Sequence, residues 1–145
     1  MKKFIAFIGA MVAGLLVFQS CEEHKISPDK LPEAAKTFIS QFFPGTTVTF
    51  AEKEKDDGVV KYNVRLSDGT EIDFDKSGAW TSVDCEFSVL PDGILPAPIS
   101  EYITANYPQA KAYKADKELG GYEVTITGGL ELLFNSAGEF IRESR

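Results

Sequence analysis

Carboxylates on alternate positions are the chief chemical material of this chain. Glu71, Asp73 and Asp75 recur every second residue, and Asp73-x-Asp75-x-Ser77-Gly78, with Asp84 further on, has the opening spacing of a calcium-binding loop. Such a loop ends in a bidentate Glu and joins two helices. This one lies in a stretch of strand-type alternation, where Asp and Gly also form turns for backbone reasons. Paired acids would suit glycoside hydrolysis, but a solvated strand face accounts for them without a pocket. A nucleophile–base pair would need His24, the single histidine, and two cysteines with one histidine are too few for zinc. No Gly-rich loop precedes a helix, so phosphate cradling has no support. The expectation is a protein that is not an enzyme and carries no cofactor. A small-ligand or calcium-binding sensor using Asp73, Asp75 and Asp84 is the alternative these residues leave open.

The 145 residues hold 15 Lys+Arg against 22 Asp+Glu, a formal charge of −7. That balance argues against nucleic acid as a partner, because phosphate binding needs a basic footprint. A hydrophobic content of 43% and a charged content of 26% exclude a wholly disordered chain, a collagen and a polytopic membrane protein.

The chain opens on Lys2 and Lys3, followed by an uncharged apolar run from Phe4 to Phe18. The run is shorter than the roughly 20 residues a membrane span needs and suits a signal-peptide core. Ser20-Cys21 then resembles a bacterial lipoprotein signal, in which a small residue precedes a Cys that is diacylated and becomes the new N-terminus. Residues 1–20 are therefore expected to be a signal peptide, Cys21 the lipidation site and residues 21–30 a lipidated tether. Loss of Lys2 and Lys3 would take the charge from −7 to −9, so acyl chains and not a basic patch would hold the protein at the membrane. The expected location is the cell envelope, as an outer-membrane-anchored lipoprotein that is periplasmic or surface-exposed. With Cys21 lipidated, Cys85 has no disulfide partner. Its alternation with Val83 and Phe87 marks it as a buried strand residue.

The chain repeats itself. Leu31-Pro32, Ile39 and Pro44 recur as Leu95-Pro96, Ile103 and Pro108. Tyr62-x-Val64, Gly69-x-Glu71 and Phe74-x-x-x-Gly78 recur as Tyr122-x-Val124, Gly129-x-Glu131 and Phe134-x-x-x-Gly138. Two copies are expected, at 31–87 and 95–145, joined by a linker at 88–94. In each, Pro sits in the first turn of a helix whose apolar stripe (Leu31, Ala35, Phe38, Ile39 and Phe42 in the first copy) ends at Pro44 or Pro108. Period-two alternation follows. Tyr62, Val64, Leu66, Ile72 and Phe74 point one way, while Lys61, Asn63, Arg65, Glu71, Asp73 and Asp75 point the other. Further strands are expected at Thr46–Glu52 and Trp80–Phe87, with turns at Asp56-Asp57-Gly58, Ser67-Asp68-Gly69 and Asp75-Lys76-Ser77-Gly78. The expected fold class is α+β: a tandem repeat of a helix followed by four antiparallel strands, in two copies, with the helices packed on one face of the sheet.

The run Tyr62-x-Val-x-Leu-x-Asp-Gly-x-Glu-Ile-x-Phe-Asp-x-x-Gly-x-Trp80, after Leu-Pro…Phe-Ile…Phe-Pro, resembles the PepSY-like, β-lactamase-inhibitor-like domains of bacterial envelope lipoproteins. The resemblance covers nearly the whole chain after the leader. It implies binding of a secreted hydrolase through an open sheet face and a hairpin tip, with an Asp at the tip of the second-to-third-strand hairpin entering the target's active site. Asp68 holds that place; the second-copy turn, Thr127-Gly128-Gly129, has no acid.

The leading expectation is a non-enzymatic domain, monomeric, that recognises a protein or peptide of the cell envelope through an open sheet face. Arg65, Asp68, Asp73, Trp80, Leu133 and Phe140 are the partner-binding candidates, and inhibition of a secreted protease or β-lactamase through Asp68 is the alternative. Counting by twos puts Trp80 on the wet face beside Asp73 and Phe140 beside Leu133, whereas a bulge after Gly78 would return both rings to the core.

Overall fold

The computed structural model describes residues 21–144, so the expected signal peptide at 1–20 lies outside the described residues. The chain runs β1 (Cys21–Lys25), a 3-10 turn (Pro28–Lys30), α1 (Glu33–Phe42), β2 (Val48–Asp56), β3 (Val59–Leu66), β4 (Glu71–Asp75) and β5 (Trp80–Asp84). It continues with α2 (Ala97–Asn106), β6 (Ala112–Glu118), β7 (Gly121–Ile126), β8 (Leu130–Asn135) and β9 (Phe140–Ser144). All the strands pair in chain order in one nine-stranded antiparallel sheet.

This order corrects the expected fold class. The molecule is one nine-stranded sheet with two short helices, not a tandem repeat of helix-plus-four-strand units packed on a sheet. Two pairings make the difference. The segment expected as a tether supplies β1, which pairs with β2 from Cys21↔Asp56 to Lys25↔Glu52. Then β5 pairs with β6 at Ser82↔Asp116, Val83↔Ala115 and Asp84↔Lys114, carrying the sheet past the 88–94 segment without a break. Leu90 and Ile94 of that segment are themselves buried.

The apolar half of the alternation builds the core. Ala51, Val64, Ile72, Val83, Ala115, Val124 and Leu132 stand opposite one another in a row across β2 to β8, and none is more than 3% exposed. Both helices cover this side. Phe38 of α1 meets Phe74 edge-on at 5.7 Å, and Tyr102 of α2 meets Phe134 at 5.6 Å. Burying so many β-branched and aromatic side chains is the main favourable contribution to folding.

Two turns dock against the helices by the same means. The Asp75 carboxylate accepts hydrogen bonds from the Ser77 and Ala79 backbone N–H groups at 2.9 and 3.1 Å, and Asn135 does the same for Ala137 and Glu139. Gly78 follows at φ +88°, and a Cβ there would lie 2.9 Å from the Ala35 nitrogen and from Pro32 Cβ. The start of α1 rests directly on this glycine, as α2 rests on Gly138 through Pro98.

The expected strand to Phe87 ends early, at Asp84. The Cys85 N–H still donates to the Tyr113 carbonyl at 2.8 Å, but Ser88 N–H turns back to the Cys85 carbonyl at 2.7 Å. The turn throws Phe87 outward, 80% exposed, with its ring over Gly69. Cys85 is buried as expected, and burial pushes its thiol up to about 11, so it stays protonated at neutral pH.

Gly78→Ala should destabilise the protein more than Gly58→Ala in urea unfolding. Both positions have positive φ, and left-handed strain alone costs roughly 1–3 kcal/mol, but only at Gly78 does the added methyl also strike a helix. Equal losses would show that the helix start does not depend on this contact.

Candidate functional site: the open sheet face

The polar half of the alternation faces away from the helices, and no described element lies across it. Strand pairing lines its side chains into rows. One row crosses every strand: Lys25, Glu52, Asn63, Asp73, Ser82, Asp116, Glu123, Leu133 and Arg142. The row beside it runs Phe50, Arg65, Glu71, Asp84, Lys114, Thr125, Glu131 and Ser144. Antiparallel pairing brings directly opposite side chains within about 5 Å, so each row is a continuous chemical surface.

Some of its charges are matched. Arg65 Nη2 and Nε both reach Glu71 Oε1, at 2.8 and 3.1 Å. Lys61 pairs with Glu54 at 3.1 Å and Lys114 with Asp116 at 3.8 Å. Lys25 lies over the Phe50 ring at 5.7 Å. Several acids also face acids. Glu71 stands opposite Asp84, and Asp116 opposite Glu123, as like-charge neighbours. Asp84 Oδ1 is buried without a hydrogen-bond partner. Burial raises the pKa of Asp73, with Lys61 opposing and Glu54, Asp116 and Glu71 adding to the rise. Asp84 is raised by burial and then by Glu71 and Asp116, against Lys114; Glu123 is raised by burial and then by Glu131, Asp116 and Glu118.

The structure brings three of the expected residues onto this face. Arg65 is exposed and already paired with Glu71, Asp73 is half-buried in the middle of the first row, and Leu133 is half-buried in the same row next to Arg142. Trp80 is elsewhere. A bulge between Asp73 and Phe74 sets Trp80 opposite Phe74, on the helix side. There it is 9% exposed, with Tyr122 at 6.4 Å and the Lys117 ammonium 4.2 Å over its ring. Phe140 follows the same rule at the Leu133/Phe134 bulge and stacks on Tyr102 at 4.5 Å. Of the two placements the sequence left open for these rings, the structure takes the inward one that a bulge produces, so Trp80 and Phe140 drop out as contact residues of the open face. Asp68 is exposed at the β3–β4 tip, where its Oδ1 accepts the Thr70 N–H at 2.9 Å. Asp73, Asp75 and Asp84 do not converge: among the described residues no group of three or more His, Cys, Asp or Glu side chains is placed to hold a metal ion.

Sequence reasoning passed over Asp116 and Glu123, whose alternation in β6 and β7 was legible but whose position against Asp73 and Asp84 depends on the β5–β6 register. It also passed over exposed Phe87 beside the Asp68 tip.

The family model described as "Putative beta-lactamase-inhibitor-like, PepSY-like" matches the chain twice, at residues 17–63 and 60–142. Two solved structures from Bacteroides vulgatus are similar to it. One is described as a "putative periplasmic protein" of the DUF2874 family, with 34% identity, TM-score 0.82 and coverage of 86% of this chain and 98% of that one. The other, described as a "putative periplasmic protein of unknown function", has 35% identity, TM-score 0.82 and coverage of 86% and 100%. A "putative calcium-regulated periplasmic protein" from Bacteroides thetaiotaomicron is similar at 34% identity, TM-score 0.81, covering 85% and 97%. No curated protein matches the chain.

A carboxyl whose pKa is higher in the folded than in the unfolded state favours folding at acid pH and loses that contribution as pH rises through the folded value. At neutral pH the crowded acids are thus a net cost. Asp84→Asn, which removes one acid of an opposed pair, should raise stability at pH 7 by several tenths to about 1 kcal/mol, and Asp73→Asn, which removes a half-buried charge, should raise it in the same direction. The gain should vanish near pH 3 (about), below the ordinary aspartate value of 3.8. Melting curves at both pH values check this; a gain that persists in acid would mean the effect is not electrostatic.

Proposed function

The chain belongs to the PepSY-like, putative beta-lactamase-inhibitor-like family, and from that premise we propose that it is a non-enzymatic, lipid-anchored binding domain of the cell envelope that recognises a protein or peptide on its open sheet face. One observation carries the reading: a side-chain row crosses all nine strands and lies under no described element. The acids of this face stand in rows and do not converge on a cleft, which suits recognition better than bond breaking. The similar solved structures, described as periplasmic, support an envelope address, and the lipid anchor rests on Ser20-Cys21. Arg65, Asp73 and Leu133 are the contact residues of this reading. Trp80 and Phe140 serve the core instead.

Leu133→Glu with Arg65→Ala should leave the melting temperature within a few degrees of the parent protein and remove the partner recovered by crosslinking in native envelopes. Lys36→Ala, on the helix side, should leave recovery unchanged. A partner retained by the first variant and lost by the second would overturn the assigned face.

A second reading, inhibition of a secreted hydrolase, is favoured by exposed Asp68 at the β3–β4 tip beside exposed Phe87. The purified protein at micromolar concentration should then slow an envelope protease or β-lactamase, and Asp68→Ala should relieve the effect. Unimpeded hydrolysis across both classes removes the reading.

A further inference from the structure

The first residue of the sheet is also the residue expected to carry lipid. Cys21 opens β1 and stands opposite Asp56, the last residue of β2. Chain and bilayer would therefore meet with no tether between them. Acyl chains hold their cysteine at the membrane surface, so the end of the sheet that lies level with Cys21 lies there too.

Strand order fixes which end that is. Strands that pair antiparallel in chain order place successive connections at opposite ends of the sheet. The β2–β3, β4–β5, β6–β7 and β8–β9 turns share the Cys21 end. The β3–β4 tip with Asp68, the β7–β8 tip with Gly128 and the connection from β5 to α2 with Phe87 share the other. At the Cys21 end, two turns are docked on the helix starts through Gly78 and Gly138. The other two project. β3 pairs with β4 only as far as Lys61↔Asp75, whereas β2 and β3 stay paired through Lys55↔Val60 to Asp56↔Val59. β6 and β7 stay paired to Glu118↔Gly121, and Leu119 and Gly120 lie beyond the last β7–β8 pair, Gly121↔Asn135.

Both projecting hairpins end in exposed apolar side chains. Val59 is 68% exposed and Leu119 is fully exposed. Turn geometry does not ask for the leucine. The β2–β3 tip has Asp57-Gly58, both at positive φ, whereas at the β6–β7 tip only Gly120 is positive and the residue before it is free to be polar. A Leu at such a tip buries nothing in water, while the boundary between headgroups and acyl chains takes up apolar side chains. The charges behind the tips are mixed, Lys53, Lys55 and Lys117 with Glu54, Asp56 and Glu118, so the contact does not call for anionic lipid.

We propose that the acylated protein stands end-on on the bilayer, with the β2–β3 and β6–β7 tips in the headgroup layer and Val59 and Leu119 against lipid. This rests on the lipid anchor read at Ser20-Cys21 and adds an orientation to it. The eight residues of β3 span about 24 Å, so Asp68 and Phe87 are held about that far out in the water. The open face rises from the membrane instead of lying on it.

The test uses the full chain, recovered from envelopes with its acyl groups and reconstituted in vesicles of phosphatidylethanolamine and phosphatidylcholine. One environment-sensitive fluorophore is placed on Leu119→Cys, Val59→Cys or Phe87→Cys, all exposed positions; Cys85 is buried and does not take the label. Nitroxide-bearing lipid should quench the probes at 119 and 59 at least about twofold more than the probe at 87, which lies about 24 Å further from lipid. Emission from the probe at 119 should also shift to the blue relative to the unacylated chain, residues 21–145 with Cys21→Ser, in the same buffer. Equal quenching at the three positions, or stronger quenching at 87, overturns the proposal. If the acylated protein holds to the vesicles with its tips unquenched, the orientation alone is wrong. A chain recovered from envelopes without acyl groups on Cys21 refutes the anchor, and the orientation falls with it.

Discussion

The three-residue pairing of β5 with β6 is the constraint on which the rest depends. Val83↔Ala115 completes the buried row from Ala51 to Leu132, while Ser82↔Asp116 and Asp84↔Lys114 complete the two rows on the opposite face. Side chains alternate with period two, so a slip of one residue at this seam would turn the whole of β6 over, exposing Ala115 and burying Asp116. The core and the acidic surface are thus two consequences of one register. The seam is short and has no hairpin turn to hold it. The buried sides of the strands must set it, since apolar burial penalises the slipped register far more than the loss of a few surface ion pairs.

Against that core, the acidic face is a burden the fold carries. Two opposed acid pairs and a half-buried Asp73 lie within a few strands of one another, and the available cations answer only part of the charge. Other acids serve structure. Asp75, which accepts two backbone N–H groups and the Ser77 hydroxyl, has its carboxyl held below the ordinary value by those bonds, the Ser77 hydroxyl foremost. Two aspartates two positions apart, Asp73 and Asp75, therefore do opposite things to stability: burial dominates at Asp73, while hydrogen-bond donors dominate at Asp75.

Much of this was legible in the sequence because alternation is local. The inward set Tyr62, Val64, Leu66, Ile72 and Phe74 and the outward set Arg65, Glu71 and Asp73 follow from counting by twos, and the helices follow from their stripes and bounding prolines. What failed was non-local. β1 has no apolar alternation, since an edge strand can be held by one ladder of backbone hydrogen bonds, and only its pairing with β2 distinguishes it from a tether. The bulge that turns Trp80 inward inserts one residue between Trp80 and Ser82, so counting by twos places Val83 correctly and Trp80 on the wrong face, and only the pairing with β4 shows where the bulge falls. Trp80's surroundings, Tyr122 and Lys117, come from strands far along the chain. The early end of β5 is likewise set by the Cys85–Ser88 turn and not by any break in the Val83, Cys85, Phe87 pattern.

The inward turn of Trp80 and Phe140 also changes the kind of recognition the face can support. Tight interfaces are centred on buried aromatic and arginine anchors, and here the aromatic pair stabilises the helix side while Arg65 is already held by Glu71. Leu133 and Phe50 are what remains of apolar material in the two central rows, and Phe50 sits under Lys25. On the proposed reading, a face with more acids than cations and little desolvated area would draw a partner by field more than by contact. Association would then be fast and fall steeply with ionic strength, with charge complementarity setting the selectivity. A segment that is stiff before binding loses little entropy on docking, which matters most where there is little apolar area to offset that loss. The same register that buries the core therefore leaves on the other side a face on which charge outweighs apolar area.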